Sequence, residues 1–303
     1  MYFHDHNHSH SRPHSQNYTR AFAIGIILNV IYIAVELGYG LLINSMALLA
    51  DAGHNFSDVL GLLLAWGAAY LAETAATEKR TYGLGKSTIL AALFNAIILM
   101  IAVGAITIES IRKIIYPEPV HGQTMMIVAA IGFVINAVTA LLFMKGREKD
   151  LNIKGAFLHM AADAGVSLGV VVAGLIIVWT GWLWIDPVIG LVIVLVITIG
   201  TWGLLKDSFN LSVDAVPKGI KLKEVENYLQ KISGVEEVHD LHIWAMSTTE
   251  TALTAHLVIP EETKDDYFLK KICSELHTQF GIEHSTIQIE KSAQSANCEH
   301  RIV

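Results

Sequence analysis

The sequence predicts a membrane-spanning bundle of six α-helices followed by a small cytoplasmic α+β domain. The first observation is composition: of 303 residues, 53% are hydrophobic and only 16% charged, where soluble globular proteins have about a quarter of their residues charged. A mean hydropathy of +0.48 points the same way. The second is the grouping of the apolar residues before about residue 210. They fall in six stretches, each long enough to cross a hydrocarbon layer of about 30 Å at about 1.5 Å per residue. The third is the polar composition beyond that point, where helical and alternating hydrophobic spacings replace the continuous apolar runs.

Residues 1–19 place His4, His6, His8, His10 and His14 among polar residues. Such a composition cannot bury a core, so the stretch reads as a disordered, metal-gathering cytoplasmic arm. It lacks the charged, apolar and small-residue order of a secretory signal, which makes the following stretches spans of the mature protein. These spans are expected at 20–43, 46–72, 88–114, 122–144, 155–180 and 185–206, within a transmembrane domain of 20–209. Their short connectors make sequential spans antiparallel neighbours. Arg12, Arg20, Lys79, Arg80, Lys86, Lys145, Arg147, Lys149, Lys154 and Lys206 collect on one side, against Arg112 and Lys113 on the other. That bias predicts both termini in the cytoplasm, with Trp182 and Trp184 in the outer interfacial belt.

From 210 to 293 a cytoplasmic α+β domain follows, and 294–303 is a terminal tail. A helix is expected at 218–232 before Gly234, strands at 238–245 and 251–259 around the turn STTE, a helix at 265–280 before Gly281, and a strand at 285–289. A net charge of -7 and the absence of a basic run exclude a nucleic-acid partner. Cys273 and Cys298 form no disulfide framework and suit a reducing compartment.

The chemistry lies in two short stretches. ADAGHNFSDVLGLLLAW (50–66) holds His54 and Asp58; FLHMAADAGVSLG (157–169) holds His159 and Asp163. A four-residue step stacks two side chains on one helix face. An ionisable residue in an apolar span costs on the order of a few kcal/mol, so it normally faces a partner or water. Two facing pairs would make an N₂O₂ set, which suits Zn²⁺ and, less selectively, Cd²⁺, Co²⁺ or Ni²⁺; without Cys or Met it disfavours Cu(I). A lone histidine could equally be a hydrogen-bond donor between helices, but the repetition on two spans favours metal. These ligands bind metal only when deprotonated, so metal and protons compete, and alternate opening to two sides would couple their movements. Gly53, Gly61, Gly165, Gly169 and Gly174 are expected to let the two helices approach. Asp51 is a candidate entry ligand or supporting partner, and both it and Glu36 could equally be packing partners. An HExxH pair is absent and four protein ligands leave no open metal position, so no enzyme is expected.

With these residues in view, the chain resembles the cation diffusion facilitators, zinc-transporter branch, over essentially its whole length. ADAGHNFSD, FLHMAAD, RTYGLGK, VHDLHIWAM, ALTAHLV and HSTIQIE carry the resemblance. It implies a homodimeric antiporter of a bacterial inner membrane or an organelle, exporting Zn²⁺ from the cytoplasm in exchange for H⁺. The transport site would be His54, Asp58, His159 and Asp163. The resemblance further implies a metallochaperone-like, ferredoxin-like tail domain that binds zinc through His239, His256 and Glu290 and helps hold the dimer. Cys298 and the histidines of the arm would complete cytoplasmic sites, and Lys86 would pair with Asp214. Departing from some relatives, the loops after spans two and four contain no histidine. The alternative is a membrane-anchored zinc sensor or scaffold acting through its cytoplasmic domain.

Overall fold

A computed structural model of the chain describes residues 16–72, 74–144, 151–260 and 266–292. The arm histidines, residues 294–303 and Cys298 lie outside the described residues. The chain forms two compact units, one from the residues up to Val59 with Leu99–Thr198, the other from Leu60–Ile98 with the residues from Ile199 onward.

The six predicted spans are six helices: α1 (Gln16–Leu42), α2 (Met46–Ala72), α3 (Ser87–Ile115), α4 (Gly122–Met144), α5 (Leu151–Thr180) and α6 (Ile185–Ser212). Among the described residues, α2 to α6 each contain a stretch long and apolar enough to cross a membrane, and α1 contributes the apolar stretch Asn29–Leu42. Ile101, Leu141, Leu195 and Ile199 are exposed on these helices, which only a lipid-facing surface tolerates on this scale.

The first unit packs around Ala47, Leu48 and Ala50 of α2, Val103 of α3, Met125 and Ala129 of α4, Val170, Ala173 and Ile177 of α5, and Ile193 and Ile197 of α6. Helices α4 and α5 meet at Gly122 and Gly174, where a Cβ on Gly174 would stand 2.9 Å from the Gly122 carbonyl oxygen. This corrects the expectation for the glycines. Gly174 serves contact with α4, Gly53 has only Ile106 at 3.7 Å, and Gly165 and Gly169 face nothing within 4 Å. Gly61 is tight against the Asn95 side chain of α3, where a Cβ would stand 2.8 Å from Nδ2, and α2 and α5 are joined through polar side chains such as Ser167 and Asp51.

Helix α2 begins on a carboxylate from elsewhere in the chain. Asp186, fully buried in the first turn of α6, accepts hydrogen bonds from Ser45 Oγ, from Met46 N at 2.7 Å and from Ala47 N at 3.2 Å. It thereby satisfies N–H groups that a helix N-terminus leaves free and complements the helix dipole. The turn before α2 passes through Asn44 at φ 59°, a conformation asparagine tolerates, and Lys113 Nζ donates to the Asn44 carbonyl.

The second unit contains α7 (Leu222–Gln230), β1 (Glu237–Ala245), β2 (Thr251–Val258), α8 (Asp266–Phe280) and β3 (His284–Glu290). All five elements match the sequence reading, though α7 is shorter than expected. The sheet order is β1-β2-β3, with β1 antiparallel and β3 parallel to β2. A parallel neighbour requires a crossover, which α8 supplies. Central β2 is buried almost throughout, so it reads as an apolar run rather than a strict alternation. Val225, Leu229, Ile243, Leu253, Leu257, Ile272 and Leu276 form the core. Lys86 Nζ does reach Asp214 Oδ1, at 2.7 Å, with both side chains about half exposed; such a pair contributes at most about 1 kcal/mol.

Gly174→Val is expected to lower the melting temperature in detergent, because overpacking of this kind costs about 1–3 kcal/mol. Gly169→Ala, with open space at its Cβ, should leave the temperature unchanged or raise it.

Candidate metal centres

In the first unit α2 presents His54 and Asp58, and α5 presents His159 and Asp163, each pair one helical turn apart. Asp58 Oδ2 lies 3.7 Å from His54 Nε2 and 3.1 Å from His159 Nε2. Asp163 Oδ1 lies 3.6 Å from His54 Nε2, and its Oδ2 lies 3.6 Å from His159 Nε2. The two imidazoles are edge to face with centroids 6.0 Å apart. An ion bound tetrahedrally at roughly 2.0–2.2 Å from each ligand sets its ligand atoms roughly 3.3–3.6 Å apart. The four nitrogen-to-oxygen distances bracket that spacing. Asp58, His159 and Asp163 offer atoms all within 4.8 Å of one another. Asp58 Oδ2, Asp163 Oδ2 and His54 Nδ1 are buried without hydrogen-bond partners. Buried polar atoms are normally satisfied, and a shared cation or shared protons would satisfy the two carboxylate oxygens.

Burial grades across the site. The Asp163 side chain is 3% exposed, whereas that of His159 is 42% exposed. Asp51, the candidate entry ligand, does not join the four: its oxygens accept from Asn55 Nδ2 at 3.4 Å and Ser167 Oγ at 3.1 Å. Glu36, also fully buried, accepts from the Tyr32 hydroxyl at 2.7 Å.

The second cluster lies on the sheet of the second unit. His239 of β1 stands directly opposite His256 of β2, and Glu290 of β3 pairs with Val258, two residues beyond His256. His239 Nε2 is 3.2 Å from Glu290 Oε2, and His256 Nδ1 is 2.9 Å from Glu290 Oε1. The three offer atoms within 4.8 Å of one another. Glu290 is buried, and its Oε2 and His239 Nδ1 lack hydrogen-bond partners. Two imidazoles and a carboxylate suit Zn²⁺ with a fourth ligand from water or another residue.

A fourth residue here escaped the sequence reading. The register of β1 shifts by one residue between His239 and His242, and Asp240 takes φ 50°, which marks a β-bulge. The bulge sets Asp240 Oδ1 2.9 Å from His242 Nε2 and its Oδ2 3.5 Å from His256 Nε2. The His242 ring beside it holds the Asp240 carboxyl below its ordinary range. Strict alternation would have sent Asp240 to the opposite face from His239, so only the backbone irregularity reveals the contact. Of the other histidines of this unit, His277 sits in the last turn of α8 and His284 packs edge-on against Tyr82.

Comparison with known proteins bears on both clusters. The family model described as the cation efflux transmembrane domain matches residues 22–211, and that of the cation efflux protein cytoplasmic domain matches 217–292. The chain belongs to the cation diffusion facilitator family. Among relatives of this cation diffusion facilitator, the cation efflux system protein CzcD of Alcaligenes sp. (strain CT14) is 35% identical over 89% of this chain and 86% of its own. The zinc transporter ZitB of Escherichia coli is 35% identical over the same shares. The cadmium, cobalt and zinc/H(+)-K(+) antiporter of Bacillus subtilis is 32% identical over 91% of this chain and 90% of its own. This facilitator is accordingly a multi-pass membrane protein of divalent cation efflux and not an enzyme.

Glu290→Ala is expected to weaken zinc binding at the tail cluster more than Asp240→Ala, for which a loss of about 10–100-fold is expected, as when a residue orienting a ligating histidine is removed. Chelator competition in an Asp58→Ala/Asp163→Ala background, where the membrane cluster has lost both carboxylates, measures both.

Proposed function

We propose that this facilitator exports Zn²⁺ from the cytoplasm in exchange for H⁺ by alternating access, with Cd²⁺ and Co²⁺ as related cargo. The observation that supports the reading is that each carboxylate, Asp58 and Asp163, lies 3.1–3.7 Å from a nitrogen of both His54 and His159 across α2 and α5. The names of the relatives, two of which specify zinc and one an H⁺-linked antiport, support it.

The four side chains hold the cargo ion. Each binds metal through a lone pair that a proton would occupy, so protonation from the outer side releases the ion and deprotonation facing the cytoplasm restores the site. Affinity should therefore fall as pH drops through about 6.5, the ordinary value for histidine. On this reading both termini are cytoplasmic, the membrane is the bacterial plasma membrane, and the chain works as a homodimer held partly by its tail domains. Zinc at His239, His256 and Glu290, extended by Cys298 and the histidines of the arm, would favour one dimer conformation by binding it more tightly.

Proteoliposomes under an imposed pH gradient test the transport reading. Zinc should move against the proton flux and collapse to background in Asp58→Ala/Asp163→Ala. Flux in that double variant, or flux indifferent to the gradient, overturns it. A protein that needs only the tail histidines to confer zinc responses would instead be a sensor or scaffold.

A further inference from the structure

Near the metal ligands, close packing does not fix α2 against α5. Gly53 of α2 has only Ile106 of α3, at 3.7 Å, and Gly165 and Gly169 of α5 have open space where a Cβ would stand. Metal-to-ligand distances hold only within about 0.2 Å. A slip of α2 by one residue would carry His54 and Asp58 about 1.5 Å along the helix axis and turn them about 100° around it. The height and rotation of α2 must therefore be set away from the ligands.

The N-terminus of α2 provides that setting. Ser45 and Asp186 are both fully buried. Asp186 accepts from Met46 N at 2.7 Å and from Ala47 N at 3.2 Å. Ser45 Oγ donates to Asp186 and accepts from Leu48 N at 3.3 Å. The first three N–H groups of α2 thus each have an acceptor, and two of those acceptors belong to α6. One turn further along α6, Gly190 lies against Met46, where a Cβ would stand 3.0 Å from Met46 Cβ and 3.1 Å from its carbonyl oxygen. The turn before the helix is held as well: buried Lys113 of α3 donates to the Asn44 carbonyl, and Asn44 Nδ2 donates to Glu118. Sliding or rotating α2 would break these contacts together.

We propose that Asp186 is a positioning residue of the metal site: from α6 it sets the height and rotation at which α2 presents His54 and Asp58 to α5. It touches neither the ion nor a ligand, since His54 lies eight residues beyond Met46, about 12 Å along the axis. The proposal rests on the reading of the four side chains as a metal site.

Titration of the full-length protein in lipid with Co²⁺ tests it. Bound Co²⁺ absorbs visible light at a position and intensity that follow its coordination geometry, and the band of the membrane cluster is the one that Asp58→Ala/Asp163→Ala removes. Asp186→Asn keeps the side-chain size but replaces an accepting oxygen with a donor. It should shift that band and weaken Co²⁺ binding there by about 10-fold, the scale of loss when a group that orients a metal ligand is removed. Ser45→Ala, which leaves Asp186 on Met46 and Ala47, should give a smaller loss in the same direction, and it replaces Asp186→Asn if that protein does not fold. Val128→Ala opens a cavity in α4 of the same core and controls for stability: its melting temperature should fall while the band and affinity stay as in the wild type. Wild-type band and affinity in folded Asp186→Asn, or in Ser45→Ala where it stands in, overturn the positioning role and leave the metal site intact. An equal shift and loss in Val128→Ala reduces Asp186 to a stability role and overturns it too. A wild-type protein with no band removed by Asp58→Ala/Asp163→Ala overturns the metal site and the positioning together.

Discussion

Two carboxylates, Asp163 buried and Asp58 partly so, each within reach of the same two imidazoles, are the constraint to which the membrane unit answers. Asp58 and Asp163 come from different helices, and each lies between His54 and His159. Neither charge can be dehydrated at low cost, and each helix supplies only half of a tetrahedral set. A cation or protons within the cluster would offset the repulsion between its two carboxylates. On the proposed function, such a site would bind its ion in one protonation state and release it in the other.

The surrounding polar groups serve the placement of α2. Asp186 holds the N-terminus of that helix through its first free N–H groups, two turns before His54. The Lys113 ammonium reaches the carbonyl of Asn44 in the turn just before it. Burial of Asp186 is compensated by the donors it meets, so a charge that would otherwise be costly becomes an anchor. Glycine makes close contacts at the α4–α5 crossing, between α4 and Tyr32 of α1, and between α6 and Met46 of α2, while Gly165 and Gly169 on the helix that bears His159 and Asp163 face open space.

The second unit reaches a similar donor set with a different backbone. Strand pairing brings His239 opposite His256, the parallel strand β3 delivers Glu290 beside them, and one extra residue in β1 turns Asp240 toward His256 and His242. In the membrane unit helical periodicity assembles the ligands; here cross-strand register does, and the bulge modifies it.

Six apolar stretches, the four-residue spacing of each His and Asp pair, and the order of helices and strands in the tail are written in one dimension. They depend on local periodicity and on how much chain is apolar, so the sequence by itself determined the fold class, the element order and the His and Asp pairs that α2 and α5 bring face to face. Tertiary structure alone decided that Asp51 contacts Asn55 and Ser167 instead of joining those ligands, that Gly165 and Gly169 face open space, and that Asp240 leaves the alternation of its strand. It also decided that Asp186 caps a helix some 140 residues earlier. Each of these depends on which long-range neighbour occupies the space around a side chain, and spacing along the chain carries no information about that.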